Sequence, residues 1–110
     1  MKAIYCQRGE SIDYKNKTDE IIKAGTVVSI TSRVGVAGTD INANEIGSIY
    51  VLGVFELKKS SEEEISVGAK VYYDSSKDYI TTTEASNIPA GYAIADAQSN
   101  NTSVYVKLLG

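Results

Sequence analysis

The chain predicts an all-β fold, a small compact barrel or sandwich of roughly eight to ten short strands. Three observations predict it. Glycines punctuate the whole length, at positions 9, 25, 35, 38, 47, 53, 68, 91 and 110. Between them lie short runs rich in Val, Ile, Thr and Tyr, residues that fit a pleated, half-buried surface. Helical periodicity is nearly absent. Its strongest trace, Ser60-Ser61-Glu62-Glu63-Glu64-Ile65, amounts at most to one short turn near residues 60–66, capped by serine with acids in the first turn.

Taken in order, Ala3–Gln7 reads as an opening strand and Ser11–Tyr14 as a second. Thr26–Thr31 and Val34–Ala37 follow. Ser48–Leu52 alternates, and Val54–Leu57 continues it after Gly53, which implies a bend inside one long strand. Ala69–Tyr73 and Tyr79–Thr83 flank Asp74-Ser75-Ser76-Lys77-Asp78, a loop with hairpin chemistry. Gly91–Ala95 and Ser103–Leu109 close the fold. Gly35, Gly47, Gly53, Gly68 and Gly91 are expected at turns or bends. The expected core is Val27, Ile30, Val36, Ile49, Val51, Val54, Phe55, Val71, Ile94, Val104 and Val106. In Tyr72-Tyr73 alternation sends one ring inward and one outward.

The two halves echo each other. Ala24-Gly25-Thr26-Val27-Val28, Gly35-Val36-Ala37-Gly38-Thr39-Asp40 and Ser48-Ile49-Tyr50-Val51 return as Val67-Gly68-Ala69-Lys70-Val71, Gly91-Tyr92-Ala93-Ile94-Ala95-Asp96 and Ser103-Val104-Tyr105-Val106. The second copy carries an extra hairpin, Asp74 to Asn87. This reads as a duplication with pseudo-twofold character inside a single domain spanning 1–110.

Composition narrows the chemistry. With 110 residues and a net charge of −3, the chain lacks the basic surface that nucleic-acid binding needs, and the same balance disfavours anionic membranes. Histidine is absent, which removes the commonest general base and metal ligand. Cys6 is alone, so it forms no internal disulfide, and its setting beside Ile4 and Tyr5 reads as a small hydrophobe in a strand. No Gly precedes Lys, so a phosphate-binding P-loop is excluded. The acids Asp40, Glu45, Asp74 and Asp78 match no calcium loop and read as turn formers. Neither a catalytic set, a cofactor site nor a metal site is expected. The opening residues lack the apolar core of a signal peptide and no run reaches membrane-spanning length, so synthesis in a cytoplasm is expected.

The ordered run Gly35-Val36-Ala37, Asp40-Ile41, Glu45-Ile46-Gly47-Ser48-Ile49-Tyr50-Val51-Leu52-Gly53-Val54-Phe55-Glu56-Leu57, then Gly68-Ala69-Lys70-Val71-Tyr72-Tyr73-Asp74, Ile80-Thr81-Thr82-Thr83, Gly91-Tyr92-Ala93 and Val104-Tyr105-Val106, resembles the capsid cement, or head decoration, family of tailed phages. That family was long catalogued as a domain of unknown function and labelled a phage recombinase, a label at odds with the missing P-loop. Asn44 departs from the pattern's usual Gly, but Asn tolerates a left-handed turn. Tyr73 stands where Trp is frequent. The resemblance implies a non-enzymatic protein on the outer capsid surface of a virion. It implies the major capsid protein as partner and a homotrimer as the oligomer, with no nucleic acid, membrane or cofactor. Within this reading Met1–Tyr14 is a candidate arm, and Ile4, Tyr5, Ile12 and Tyr14 are candidate capsid or oligomer contacts. Another virion part, such as a tail or baseplate adaptor, or an uncharacterised β binding module, is the alternative.

Overall fold

The computed structural model describes residues 1–109. Among them nine strands and no helix form: β1 (Ser11–Lys15), β2 (Val27–Ile30), β3 (Arg33–Ala37), β4 (Ile46–Tyr50), β5 (Leu52–Lys58), β6 (Lys70–Asp74), β7 (Tyr79–Thr81), β8 (Ile88–Ala93) and β9 (Ser103–Leu109). They build two antiparallel sheets, ordered β1-β4-β3-β2 and β5-β9-β8-β6-β7. The arrangement is sandwich-like. It does not close into a barrel. The edges of the second sheet meet only at a bridge between Lys59 and Ile80.

Alternation along each strand decides what is buried. In β9, Val104, Val106 and Leu108 face the main core with Leu57, Ile65, Val71, Tyr73, Ile80 and Ala93. β3 is buried on both faces. Val34 and Val36 join that main core, whereas Ala37 belongs to a second cluster with Ile41, Ile49 and Val51. Ile12, Tyr14, Ile22 and Ile30 pack around this second cluster. The first sheet is therefore sandwiched between the second sheet and its own loops. At Val51 the chain leaves one sheet and enters the other without an intervening loop, held by the Val51 amide donating to the Glu10 carbonyl at 3.0 Å.

The echo between halves is a repeat of hydrogen-bonded structure. β1, β2, β3 and β4 correspond to β5, β6, β8 and β9, in the same sheet order, with β7 as the insertion. Pairings recur residue by residue: Ile12 with Ile49 and Phe55 with Val106, Val28 with Gly35 and Val71 with Gly91, Ala37 with Ile49 and Ala93 with Val106. Loop contacts recur too. The Ile22–Ile41 bridge matches Ile65–Ala97. Asp40 accepts from the Ala24 amide at 2.8 Å and Asp96 from the Val67 amide at 2.7 Å. The register corrects the echo in its last strand. Ser48, opposite Asp13, corresponds to Tyr105, opposite Glu56, two residues beyond Ser103.

Several expectations change. Ala3–Gln7 forms no strand, because no edge of this chain pairs with it and an unpaired strand gains no ladder bonds. Cys6 is exposed there rather than tucked into a sheet. Gly35 and Gly47 lie inside β3 and β4, not at turns, and serve close packing: a Cβ on Gly35 would sit 2.9 Å from Ile49 Cδ1, and one on Gly47 would collide with the Ile41 side chain. Gly68 does occupy a turn (φ +85°), and Gly53 takes φ +129° just after the sheet change. Gly91 sits in β8 beside a bulge, where the pairing skips from Val71–Gly91 to Tyr72–Pro89. Val54 and Ile94 are exposed, not core, since Phe55 and Ala93 take the inward positions. Alternation holds in that Tyr73 joins the main core and Tyr72 does not, but Tyr72 is covered as well, lying between Thr81 and Pro89 of the flanking strands with its hydroxyl bonded to Glu84. Asn44 adopts φ +66°, the left-handed turn its side chain tolerates.

Candidate interaction surfaces

The four interface candidates separate into two pairs. Ile12 and Tyr14 lie in β1, half-buried against the Ile41–Ile49 cluster. Ile4 and Tyr5 are 87% and 81% exposed on the segment before β1. That segment is tied down only near its end, where Arg8 pairs with Glu10 at 2.8 Å. The structure thus leaves Ile4 and Tyr5 free and commits Ile12 and Tyr14 to the fold.

A second surface lies on the outer face of β5 and β9. Leu52 pairs with Leu109, Val54 with Lys107 and Glu56 with Tyr105, so these side chains share the solvent side of the sheet. Leu52, Val54, Tyr105 and Leu109 are all exposed, and Ile94 adjoins them, its amide N–H donating to the Tyr105 carbonyl. Tyr92 continues the strip under the Lys107 ammonium, 5.9 Å from its ring centroid. The repeat gives this face a meaning. Tyr92 stands where the first half has Val36, a residue buried between the sheets. At this position the first unit is covered and the second is partly open. The run Tyr50–Leu57 is apolar on both faces, so its pattern alone does not separate this face from the core.

Ionisable groups converge only weakly. Tyr73 donates to Asp78 Oδ1 at 2.6 Å beside a cleft of about 270 Å³ between Val27 and Tyr79. Burial first, then the bond to Asp78 and the charges of Asp78 and Asp74, push the Tyr73 hydroxyl up to about 12, so it acts as a neutral donor and not as a base. Asp74 is held below its usual range by the Ser76 hydroxyl and the Ser76 and Lys77 amides, which close the hairpin loop. Burial alone would raise Glu63. The Thr82 hydroxyl and amide outweigh it, with help from Thr81 and Lys59, and the carboxyl lies below its ordinary value. No group of three potential metal ligands occurs among the described residues.

Two buried polar side chains escaped the sequence reading. Lys59 is buried and its ammonium donates to the carbonyls of Ser60 (2.6 Å), Gln98 (3.1 Å) and Asn101 (2.9 Å). Asn16, at the matching position after β1, donates to the carbonyls of Glu20 (2.7 Å) and Ile41 (2.9 Å). Each pins the loops of its own repeat unit, so both are structural. Their shared place at the end of the first strand of each unit was the available signal.

Two exposed apolar features stand out, the segment bearing Ile4 and Tyr5 and the outer face of β5 and β9. Compared with known proteins, residues 6–108 match the family described as phage cement protein. No curated protein and no solved structure matches the chain.

Proposed function

Because the chain belongs to the phage cement protein family, we propose that it decorates the outside of a phage head, binds the major capsid protein and stabilises the shell. The family match over nearly the whole length carries this reading. The sheet face formed by Leu52, Val54, Tyr105 and Leu109 supports it, since a contiguous exposed apolar patch marks an interaction surface. In this reading the face meets the shell and the arm bearing Ile4 and Tyr5 contributes to oligomerisation, a trimer fitting local threefold positions. Binding across subunit boundaries stabilises the shell by mass action, because only the intact lattice offers the site. A trimer engages several lattice sites at once, so modest affinity per contact suffices.

Co-sedimentation with empty shells of the cognate phage tests the proposal. Saturable binding and a raised shell melting temperature are expected. Val54→Asp, at an exposed site, should leave the protein's own stability within about 0.5 kcal/mol and abolish shell binding. A folded protein that ignores shells would turn the reading toward another virion part, such as a tail adaptor.

A further inference from the structure

The repeat exposes a difference between two equivalent sheet edges. In the second unit, β6 is flanked by β7, with Tyr72 opposite Thr81 and Tyr73 opposite Ile80. In the first unit the corresponding strand is β2, where Ser29 and Ile30 stand in the places of Tyr72 and Tyr73. No strand flanks it. Among the described residues the backbone of Val28–Ile30 bonds only to β3.

This edge also lacks the usual protection. Natural edges carry charges, prolines or bulges that discourage pairing. β1 carries Asp13 and Lys15, and β5 carries Glu56 and Lys58; β7 is three residues long and tied to Lys59. The β2 run Thr26–Thr31 contains no charge and no proline. Beside it opens the cleft between Val27 and Tyr79, floored by Leu57 and Ile80. Residues paired across antiparallel strands share a face, so an added strand would hold the side chain opposite Val27 over this cleft. Main-chain bonding along an edge with a pocket for alternate side chains is the mode of β-strand addition.

We propose that the β2 edge receives residues Met1–Cys6 of a second copy. Three observations favour that occupant. The segment pairs with no strand among the described residues and its apolar side chains Ile4 and Tyr5 are exposed. Its charge is complementary: the first nine residues hold Lys2 and Arg8 and no acid, so a chain of net −3 carries −5 on the remainder. It also leaves from β1, at the opposite edge of the sheet from β2, and nine extended residues reach about 30 Å, enough to reach a neighbouring molecule. The proposal rests on the oligomerisation part of the reading above and not on shell binding, and its association measurements need no shells, so the two can fail separately.

The experiment compares the full chain, a chain lacking Met1–Arg8, and Ser29→Lys by sedimentation velocity over a range of concentrations, with hydrogen exchange on each. Ser29 is exposed, so the substitution charges the edge without touching the core. The full chain is expected to associate with concentration and to protect the outward-facing amides of Val27, Ser29 and Thr31. Both variants are expected to remain monomeric with these amides open. A synthetic peptide of residues 1–10 should bind the arm-less chain and fail to bind it when Ser29→Lys is added. Association unchanged by arm removal, a monomer with β2 already protected, or protection that appears only on adding shells would each overturn the assignment.

Discussion

At the scale of single residues, the repeat supplies paired comparisons. Gly35 and Gly91 are equivalent, yet a Cβ meets different obstacles at each. At Gly35 it meets the tip of the Ile49 side chain at 2.9 Å and the Tyr50 carbonyl at 3.2 Å, contacts that small shifts relieve. At Gly91 it runs into the Lys107 carbonyl, a fixed point of β9, at φ +156°. Gly35→Ala is therefore expected to destabilise by about 1 kcal/mol and Gly91→Ala by about 3 kcal/mol or more, in urea denaturation. Lys59 and Asn16 form a second pair. Replacing Lys59 by Met removes a buried charged donor from three loop carbonyls, for an expected loss of about 3 kcal/mol. Asn16→Ala removes two neutral bonds and should cost about 2 kcal/mol. Equal small losses in thermal or urea unfolding would refute the clamping role of both.

At the scale of elements, the β6–β7 hairpin gives a pH signature. The folded state favours the neutral form of Tyr73, so its contribution is whole below about 10, the ordinary tyrosine value, and is lost as pH climbs through about 12. Tyr73→Phe should flatten that alkaline decline, read by circular dichroism between those limits. Glu63 acts oppositely. Its contribution is present above the ordinary carboxylate value and falls away as pH drops through its depressed one. Most elements were legible in advance, for a physical reason: β9 alternates cleanly from Ser103 to Leu109, and its bounds match the sequence reading. Alternation failed where a strand serves two cores, as in β3, or where a bulge resets the faces, as at Gly91. Ala3–Gln7 has strand chemistry but no partner within its own chain, a fact that local sequence does not encode.

For the whole molecule, the two repeat units are not independent. Val34 and Val36 of the first unit lie in the main core of the second. Unfolding is expected to be a single transition, with tyrosine fluorescence and far-ultraviolet dichroism superimposing in urea, and a fragment ending at Val51 should not fold. Of the two exposed apolar surfaces, the segment bearing Ile4 and Tyr5 stood out from its composition and position. The β5–β9 face did not, because Val54 sits in a run apolar on both faces, and only the register separates Val54 from Phe55. The direct passage at Val51 has one more consequence. Ser11 pairs with Tyr50 and Leu109 with Leu52, so the first and last strands dock on either side of the same point. The two ends of the folded body are neighbours. A circular permutant, with a short glycine linker joining them and the chain reopened in the exposed Ser75–Lys77 loop, should retain the fold. Cargo fused at either end would emerge from one spot on the surface.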